Sequence, residues 1–363
     1  LSVYDEVQSG LEGIVAFATE IAEPDRDGDA LRYRGVDIEE LVGMVPYEQV
    51  WGLLVDDSLL PGLDPADPYP LTIHSGDQRA DMQAAIAALG PSWGFQPVLD
   101  ISDQQARDDL ARASVMALSF VAQSARGLGR PPVPQREIDR GDCLAERFLL
   151  RWRGEADPRH VKAIDAYWTA AAEHGMSSST FTARVITSTG ADVSAALSAA
   201  IGALSGPLHG GAPARVLQML DEVQAAGDAT AYVRDRLDRG ERIMGFGHRV
   251  YRAEDPRARV LRRLMHELDA PRIEAAEALE RAALEELHAR RPDRILATNI
   301  EFWAAVVLDF AEVPPAAYTP MFACARVAGW SAHILEQKRE RRMIRPSAKY
   351  VGSPPRPLSS LRS

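Results

Sequence analysis

Through most of the chain the apolar residues recur at i, i+3 and i+4, the period of a helix with one face against a core. "DMQAAIAALG" (81–90) and "ARASVMALSFVAQSARGLG" (111–129) show that period and end at glycine, a common helix stop. "STGADVSAALSAAIGALSG" (188–206) reads as a helix whose face is nearly all Ala, Gly and Ser. Such a face lets helices approach closely, so this segment is expected deep in a bundle or at a subunit contact. "TPMFACARVAGWSAHILEQKRERR" (319–342) predicts another helix, with Thr319 as N-cap and Pro320 at the first helical position. Strand signals are sparse. "GIVAFATEIA" (13–22) and "ALRYRG" (30–35) are expected to pair as a small hairpin. The pattern therefore predicts an all-α protein with a small N-terminal β-hairpin.

Proline-rich breaks at 61–70 and 129–141 separate helices, and the tail "SPPRPLSSLRS" is expected to be loosely ordered or wrapped on a neighbour. From about 215 to 295 the chain is richer in charge than its flanks, which suggests a smaller domain inserted between two halves of a larger one. The expected division is 1–214, 215–300 and 301–363. No internal repeat is visible.

Composition changes this picture little. The 363 residues are 46% apolar and 26% charged, enough to bury a sizeable core. A net charge of −11 argues against a general nucleic-acid or anionic-membrane surface. Cys143 and Cys324 are far apart and form no CxxC pair, so both are expected as reduced thiols in the cytoplasm. No run approaches the ~18 apolar residues of a membrane span. The N-terminus has no basic segment leading into an apolar core, so no signal peptide is expected. It begins at Leu1 rather than Met, so residues upstream are expected.

Four of the eight histidines have unusual settings: His174 in "AAEHGMSSSTF", His209 in "GPLHGG", His248 in "IMGFGHRVY" and His333 in "GWSAHILEQ". A lone histidine is usually structural. His209 and His248 depart from that rule because each lies beside glycines, where bare backbone can approach a ligand closely. No HxxxH or HExxH spacing exists, so no metal is expected. "GHRVYRAEDPRARV" supplies Arg249, Arg252, Arg257 and Arg259; for Arg252 and Arg259 a solvated face is the plainer reading. Arg326 differs, since "CARVAGW" places a guanidinium in an apolar helix face. That demands either a buried ion pair or a carboxylate ligand. Arg345 follows in "IRPSAKY". Glu301, in "TNIEFWAAVV", falls in the first helical turn if Asn299 is the N-cap. There it either complements the helix dipole or serves as a base that the helix end keeps ionised.

Together "STFTARVITST", "AAIGALSGPLHGGA", "GFGHRVYRAEDPRA", "YTPMFACARVAGWSAHILEQ" and "RPSAKYVG", with the opening "GLEGIVAFATEI", resemble the citrate synthase family in its short bacterial form. The likeness spans nearly the whole chain. It implies a mostly helical homodimer whose smaller domain closes over oxaloacetate, and condensation of that acid with acetyl-CoA followed by hydrolysis of citryl-CoA. It implies that His209 holds the thioester carbonyl, that His248 polarises the oxaloacetate ketone and that Glu301 is the base. His174, Arg257 and Arg326 would bind oxaloacetate, with Arg345 reaching across from the other subunit. Gly245 and Gly247 would belong to the loop that holds the CoA adenine, and Arg252 would contact phosphate. Coenzyme A enters as a co-substrate thioester and no permanent cofactor is implied. Two departures stand out: Glu301 replaces the family's usual aspartate, and Pro213 follows "HGGA" where asparagine is common. The chain lacks the N-terminal extension of the larger NADH-regulated hexamers, so a dimer without that control is expected. Propionyl-CoA use, as in 2-methylcitrate synthase, and a catalytically weak paralogue that binds CoA or oxaloacetate are the alternatives.

Overall fold

A computed structural model describes residues 9–11, 13–25, 30–206, 209, 213–247, 250–251, 254–294 and 296–361. The chain opens on three short antiparallel strands, β1 (Ala22–Asp25), β2 (Ala30–Tyr33) and β3 (Val36–Asp37), in that spatial order. Ala22 pairs with Tyr33 and Asp25 with Ala30, so the expected hairpin exists but its first strand lies later than the apolar run. Residues 13–19 form no strand, and the Ile14 and Val15 side chains are exposed.

Helices make up the rest. First come α1 (Ile38–Leu41), α2 (Tyr47–Asp56), α3 (Gln78–Trp93), α4 (Asp103–Arg126) and α5 (Gln135–Ile138). Then follow α6 (Leu144–Arg153), α7 (Pro158–Ala171), α8 (Ser178–Ser188), α9 (Val193–Leu204) and α10 (Pro213–Ala226). The last five are α11 (Ala229–Asp238), α12 (Pro256–Glu267), α13 (Ile273–Arg290), α14 (Ile300–Phe310) and α15 (Tyr318–Glu340). The break expected at 129–141 holds the one-turn α5 within it.

Two helix starts differ from the sequence reading. The small-residue helix begins at Val193, because the Asp192 side chain accepts from the Ser194 and Ala195 amides and caps it there. Gly190, at φ +88°, breaks it from α8. Likewise α15 begins at Tyr318, one residue before Thr319. A 3₁₀ turn at Pro315–Ala317 already leads the backbone into the helix, so no side-chain cap is used.

The core is centred on α15, which is buried almost from end to end and packs against α2, α4, α7, α8 and α9. Its Ala323, Ala325, Ala328, Gly329 and Ala332 let those helices come close. Its own Trp330 is fully buried, as are Trp51, Trp168 and Trp303 on other helices. Both cysteines are free thiols whose pKa burial pushes up, that of Cys143 to about 11. Among the described residues no helix is long and apolar enough to cross a membrane.

Candidate active site

A cavity of about 180 Å³ opens where the N-terminal ends of α8, α12 and α14 meet the side of α15. His174, Ser177, His209, Arg257, Asn299, Glu301 and Arg326 line it, with Tyr167, Ile300, Ala304, Tyr318 and Phe322 as apolar wall. Three converging helix N-termini bring partial positive charge to one place, a setting for an anion. The volume is below the ~300–1,000 Å³ of sites for drug-sized ligands, so the cavity suits a small acid.

Each polar group is placed by an identifiable local feature. Asn299 caps α14, its Oδ1 accepting from the Glu301 amide at 3.0 Å, so Glu301 does occupy the first turn. The consequence differs from the expectation of a dipole-stabilised anion. Burial raises the Glu301 pKa, the nearby Arg257 charge pulls it back, and Asp255 pushes it up again. A raised carboxylate pKa brings a general base nearer its working pH.

His209 lies in the turn between α9 and α10. The Ser179 amide donates to its Nε2 at 3.4 Å, and Ser179 Oγ lies 2.9 Å from the same atom. Trp330 Nε1 donates to that Oγ at 3.2 Å, leaving the hydroxyl proton available to Nε2. Since a backbone N–H can only donate, Nε2 accepts and the proton of the neutral ring sits on Nδ1. Burial, reinforced by the Arg326 charge, lowers the His209 pKa to about 4. The ring is therefore a neutral N–H donor at physiological pH.

The arginines divide by partner. Arg257 is held by Asp255, with Nε and Nη2 at 2.9 and 2.7 Å from the two carboxylate oxygens. Burial pulls the Arg257 pKa down, but the Asp255 charge and hydrogen bonds outweigh it and leave it raised. Arg326 is also buried, yet among the described residues only its Nε has a hydrogen-bond partner, the Ala171 carbonyl at 3.0 Å. Its ring neighbour is Phe322, 4.7 Å away, and burial lowers its pKa. A dehydrated guanidinium with both terminal nitrogens unpaired among the described residues is ready for a carboxylate. His174 Nε2 lies 2.9 Å from the Tyr251 hydroxyl.

The cavity thus gathers His174, His209, Arg257, Glu301 and Arg326. His248 and Arg252 lie outside the described residues. Gly245 and Gly247 have φ of +90° and +88° and lie beside the start of α14. Their carbonyls accept from the Asn299 amide and side chain, both at 2.9 Å. A Cβ on Gly245 would meet Phe302 Cβ at 2.8 Å, so the loop needs glycine for space as well as for φ. Arg345 is exposed on the tail and does not reach this cavity within its own chain. His333 is buried elsewhere, between Glu173 (3.2 Å) and Arg184 (3.0 Å), and has the structural role usual for a lone histidine. Sequence reasoning missed Asp255, Ser179, Trp330 and Tyr251. Only Asp255 carried a signal, as the residue before Pro256 at a helix start. Among the described residues no three His, Cys, Asp or Glu side chains gather as for a metal.

This set can hold a small acid with two negative charges, remove a proton through Glu301 and donate a hydrogen bond through His209, as enzymes of carbon-acid chemistry require. The sequence profile described as "Citrate synthase, C-terminal domain" matches residues 10–347. A Mycobacterium tuberculosis protein named "Putative citrate synthase 2" is 67% identical over 353 residues, covering 97% of this chain and 95% of that one. The citrate synthase of Haloferax volcanii is 35% identical over 378 residues, covering 96% of each. The solved structure of Thermoplasma acidophilum citrate synthase, a ternary complex with carboxymethyl coenzyme A and oxaloacetate, matches with a TM-score of 0.80 at 27% identity. That match covers 98% of this chain and 99% of the other. The chain belongs to the citrate synthase family, and it is an enzyme of that family's acyltransferase type.

Proposed function

We propose that the protein condenses acetyl-CoA with oxaloacetate to give citrate and CoA. The observation that carries this reading is the meeting of Glu301, neutral His209 and unpaired Arg326 in one small cavity. A thioester methyl is a weak carbon acid. Glu301 takes its proton while His209 Nδ1–H bonds the carbonyl oxygen, so negative charge builds on oxygen rather than carbon. Arg257, Arg326 and His174 hold the two carboxylates of oxaloacetate. His248 donates to the ketone oxygen as the enol carbon attacks the ketone carbon. Water then cleaves the thioester of citryl-CoA and frees CoA.

The cavity is too small for the whole CoA thioester, which on this reading lies across the Gly245–Gly247 loop with Arg252 at its phosphates. Residues 215–300 act as the smaller domain that closes over the site, and closure excludes water until the carbon–carbon bond has formed. The working unit is a cytoplasmic homodimer in which Arg345 completes the partner's site. The exposed tail supports this, since Met343, Tyr350, Val351, Leu358 and Leu361 are all at least half exposed on their own chain.

Steady-state kcat/KM with oxaloacetate and either acetyl-CoA or propionyl-CoA tests the proposal. Preference for acetyl-CoA supports it. Preference for propionyl-CoA would make the protein a 2-methylcitrate synthase, the name borne by a Shewanella oneidensis relative 31% identical over 375 residues. One methylene is worth only about 1–3 kcal/mol in a pocket, so the two activities are close in energy. Turnover with neither thioester would overturn the enzymatic reading.

A further inference from the structure

Among the described residues four arginines are buried: Arg151, Arg184, Arg257 and Arg326. Arg184 pairs with Glu336 and Glu340, and Arg257 with Asp255. Arg326 forms no ion pair among the described residues and faces the catalytic cavity. Arg151, on α6, forms none either. Its hydrogen bond is a long one, 3.5 Å from Nη2 to Gln135 Oε1. The neighbouring carboxylate, Asp139, is already taken by Arg147 at 3.1 Å. Burial lowers the Arg151 pKa to about 10. A guanidinium held dry without a counter-ion is costly unless something supplies the missing charge.

Arg151 lines a groove of about 720 Å³ between the end of α4, the 127–134 loop and the 68–74 loop. Arg126, Arg130 and His74 line it too, and no Asp or Glu does, in a chain whose net charge is −11. Arg126 spends Nε and Nη1 on the carbonyls of Pro131 (2.6 Å) and Trp152 (3.0 Å), and Arg130 gives Nε to the Arg126 carbonyl at 3.4 Å. These three arginines form no ion pair among the described residues. Tyr69, Leu128, Val133 and prolines 68, 70, 131 and 132 supply apolar walls. No lining residue is shared with the catalytic cavity. The size falls in the ~300–1,000 Å³ range of small-molecule sites. The chain's own tail is a poor occupant, because residues 341–363 carry six basic and no acidic side chains.

We propose that this groove is a second binding site, separate from the catalytic cavity, for a small organic anion whose phosphate or carboxylate head pairs with Arg151 and Arg130 and whose apolar body lies on the proline and tyrosine wall. Guanidinium forks match both head groups. Calorimetry on the full-length protein, at constant ionic strength, with phenyl phosphate, benzoate and inorganic phosphate tests it. Saturable binding of one phenyl phosphate or one benzoate per chain, tighter than inorganic phosphate, is expected, and which of the two binds identifies the head group. Binding should survive saturation with oxaloacetate. It should weaken about tenfold or more in Arg130→Ala and in Arg151→Gln, the scale of one charged hydrogen bond, with turnover in the absence of probe unchanged. Arg151→Met should raise Tm without anion and abolish the rise in Tm that phenyl phosphate or benzoate brings to the parent protein. Failure of both aromatic probes to saturate, competition by oxaloacetate, or undiminished binding in Arg151→Gln would each overturn the proposal.

Discussion

Burial acts on Glu301 and His209 in the same sense, toward the neutral form, but the two roles need opposite things from it. A neutral imidazole is what the His209 donor role requires. A base must be ionised, so Glu301 works against its own burial and leans on the Arg257 charge. Two outcomes follow for Glu301→Gln. Turnover should fall about 10²-fold or more with oxaloacetate affinity largely kept, because only a proton-transfer step is lost. Stability should move the other way. The folded-state pKa of Glu301 is raised, so the ionised side chain destabilises the fold as pH rises above the ordinary carboxylate value of about 4.3. The Gln variant should therefore melt higher than the parent at pH 7, with the gain shrinking to nothing as pH falls toward 4 on paired thermal scans. On the proposed mechanism the acid limb of kcat/KM reports Glu301, not His209 at about 4, and should lie above the ordinary carboxylate value. Glu301→Asp should be slower than the parent, since it withdraws the carboxylate by about one ångström and misplacement on that scale costs about 10²-fold. At this scale the sequence was legible wherever a residue's role is set by its immediate neighbours. Asn299 as cap and Glu301 in the first turn are local facts. The sign of the Glu301 shift was not legible, because it depends on what α12 and α15 bring against it from elsewhere in the chain.

Among elements, Asp255 shows how far local reading reaches. "EDPRARV" announces a helix start, and Asp255 does cap α12, its Oδ1 accepting from the Arg257 amide at 3.0 Å. Its Oδ2 also accepts from the Ile300 amide, 3.1 Å away at the head of α14. One fully buried carboxylate therefore ties two helix starts together and aims Arg257 into the cavity between them. No pattern in the sequence pairs positions 45 apart, so this link appears only in the fold. Removing a partner from a buried ion pair leaves an unmet charge and costs about 3–5 kcal/mol. Asp255→Ala should lower stability by that order in denaturant titrations. It should also raise the KM for oxaloacetate more than it lowers kcat, since what it disturbs is the arginine proposed to hold the substrate. An unchanged KM would separate the Arg257 pair from binding. The helix boundaries give the same lesson more mildly. Thr319–Pro320 is a sound local start signal, but α15 begins earlier because the preceding turn is already helical.

For the whole molecule, the cavity described within one chain lacks Arg345, which the family likeness assigns to oxaloacetate. It sits on an exposed segment beyond α15, on a tail that buries almost nothing of its own. A single chain carrying five large exposed apolar side chains in one extended run makes sense if another copy covers them. The proposed dimer then has two composite sites, each with His209 from one subunit and Arg345 from the other. This arrangement has a consequence that no single-chain site shares. Arg345→Ala dimers should be impaired in both sites, and His209→Ala dimers should be nearly inactive. When the two variants are unfolded together and refolded as equal mixtures, half of the dimers are mixed. In a mixed dimer the geometry places both lesions in one site and leaves the other intact. Activity should therefore recover to about a quarter of the parent value, well above the mean of the two variants alone. The oxaloacetate KM of that recovered fraction should match the parent, because the surviving sites are unaltered. Recovery no greater than the mean of the separate variants would mean that His209 and Arg345 serve one site from one chain, and the tail would then have to fold back on its own subunit.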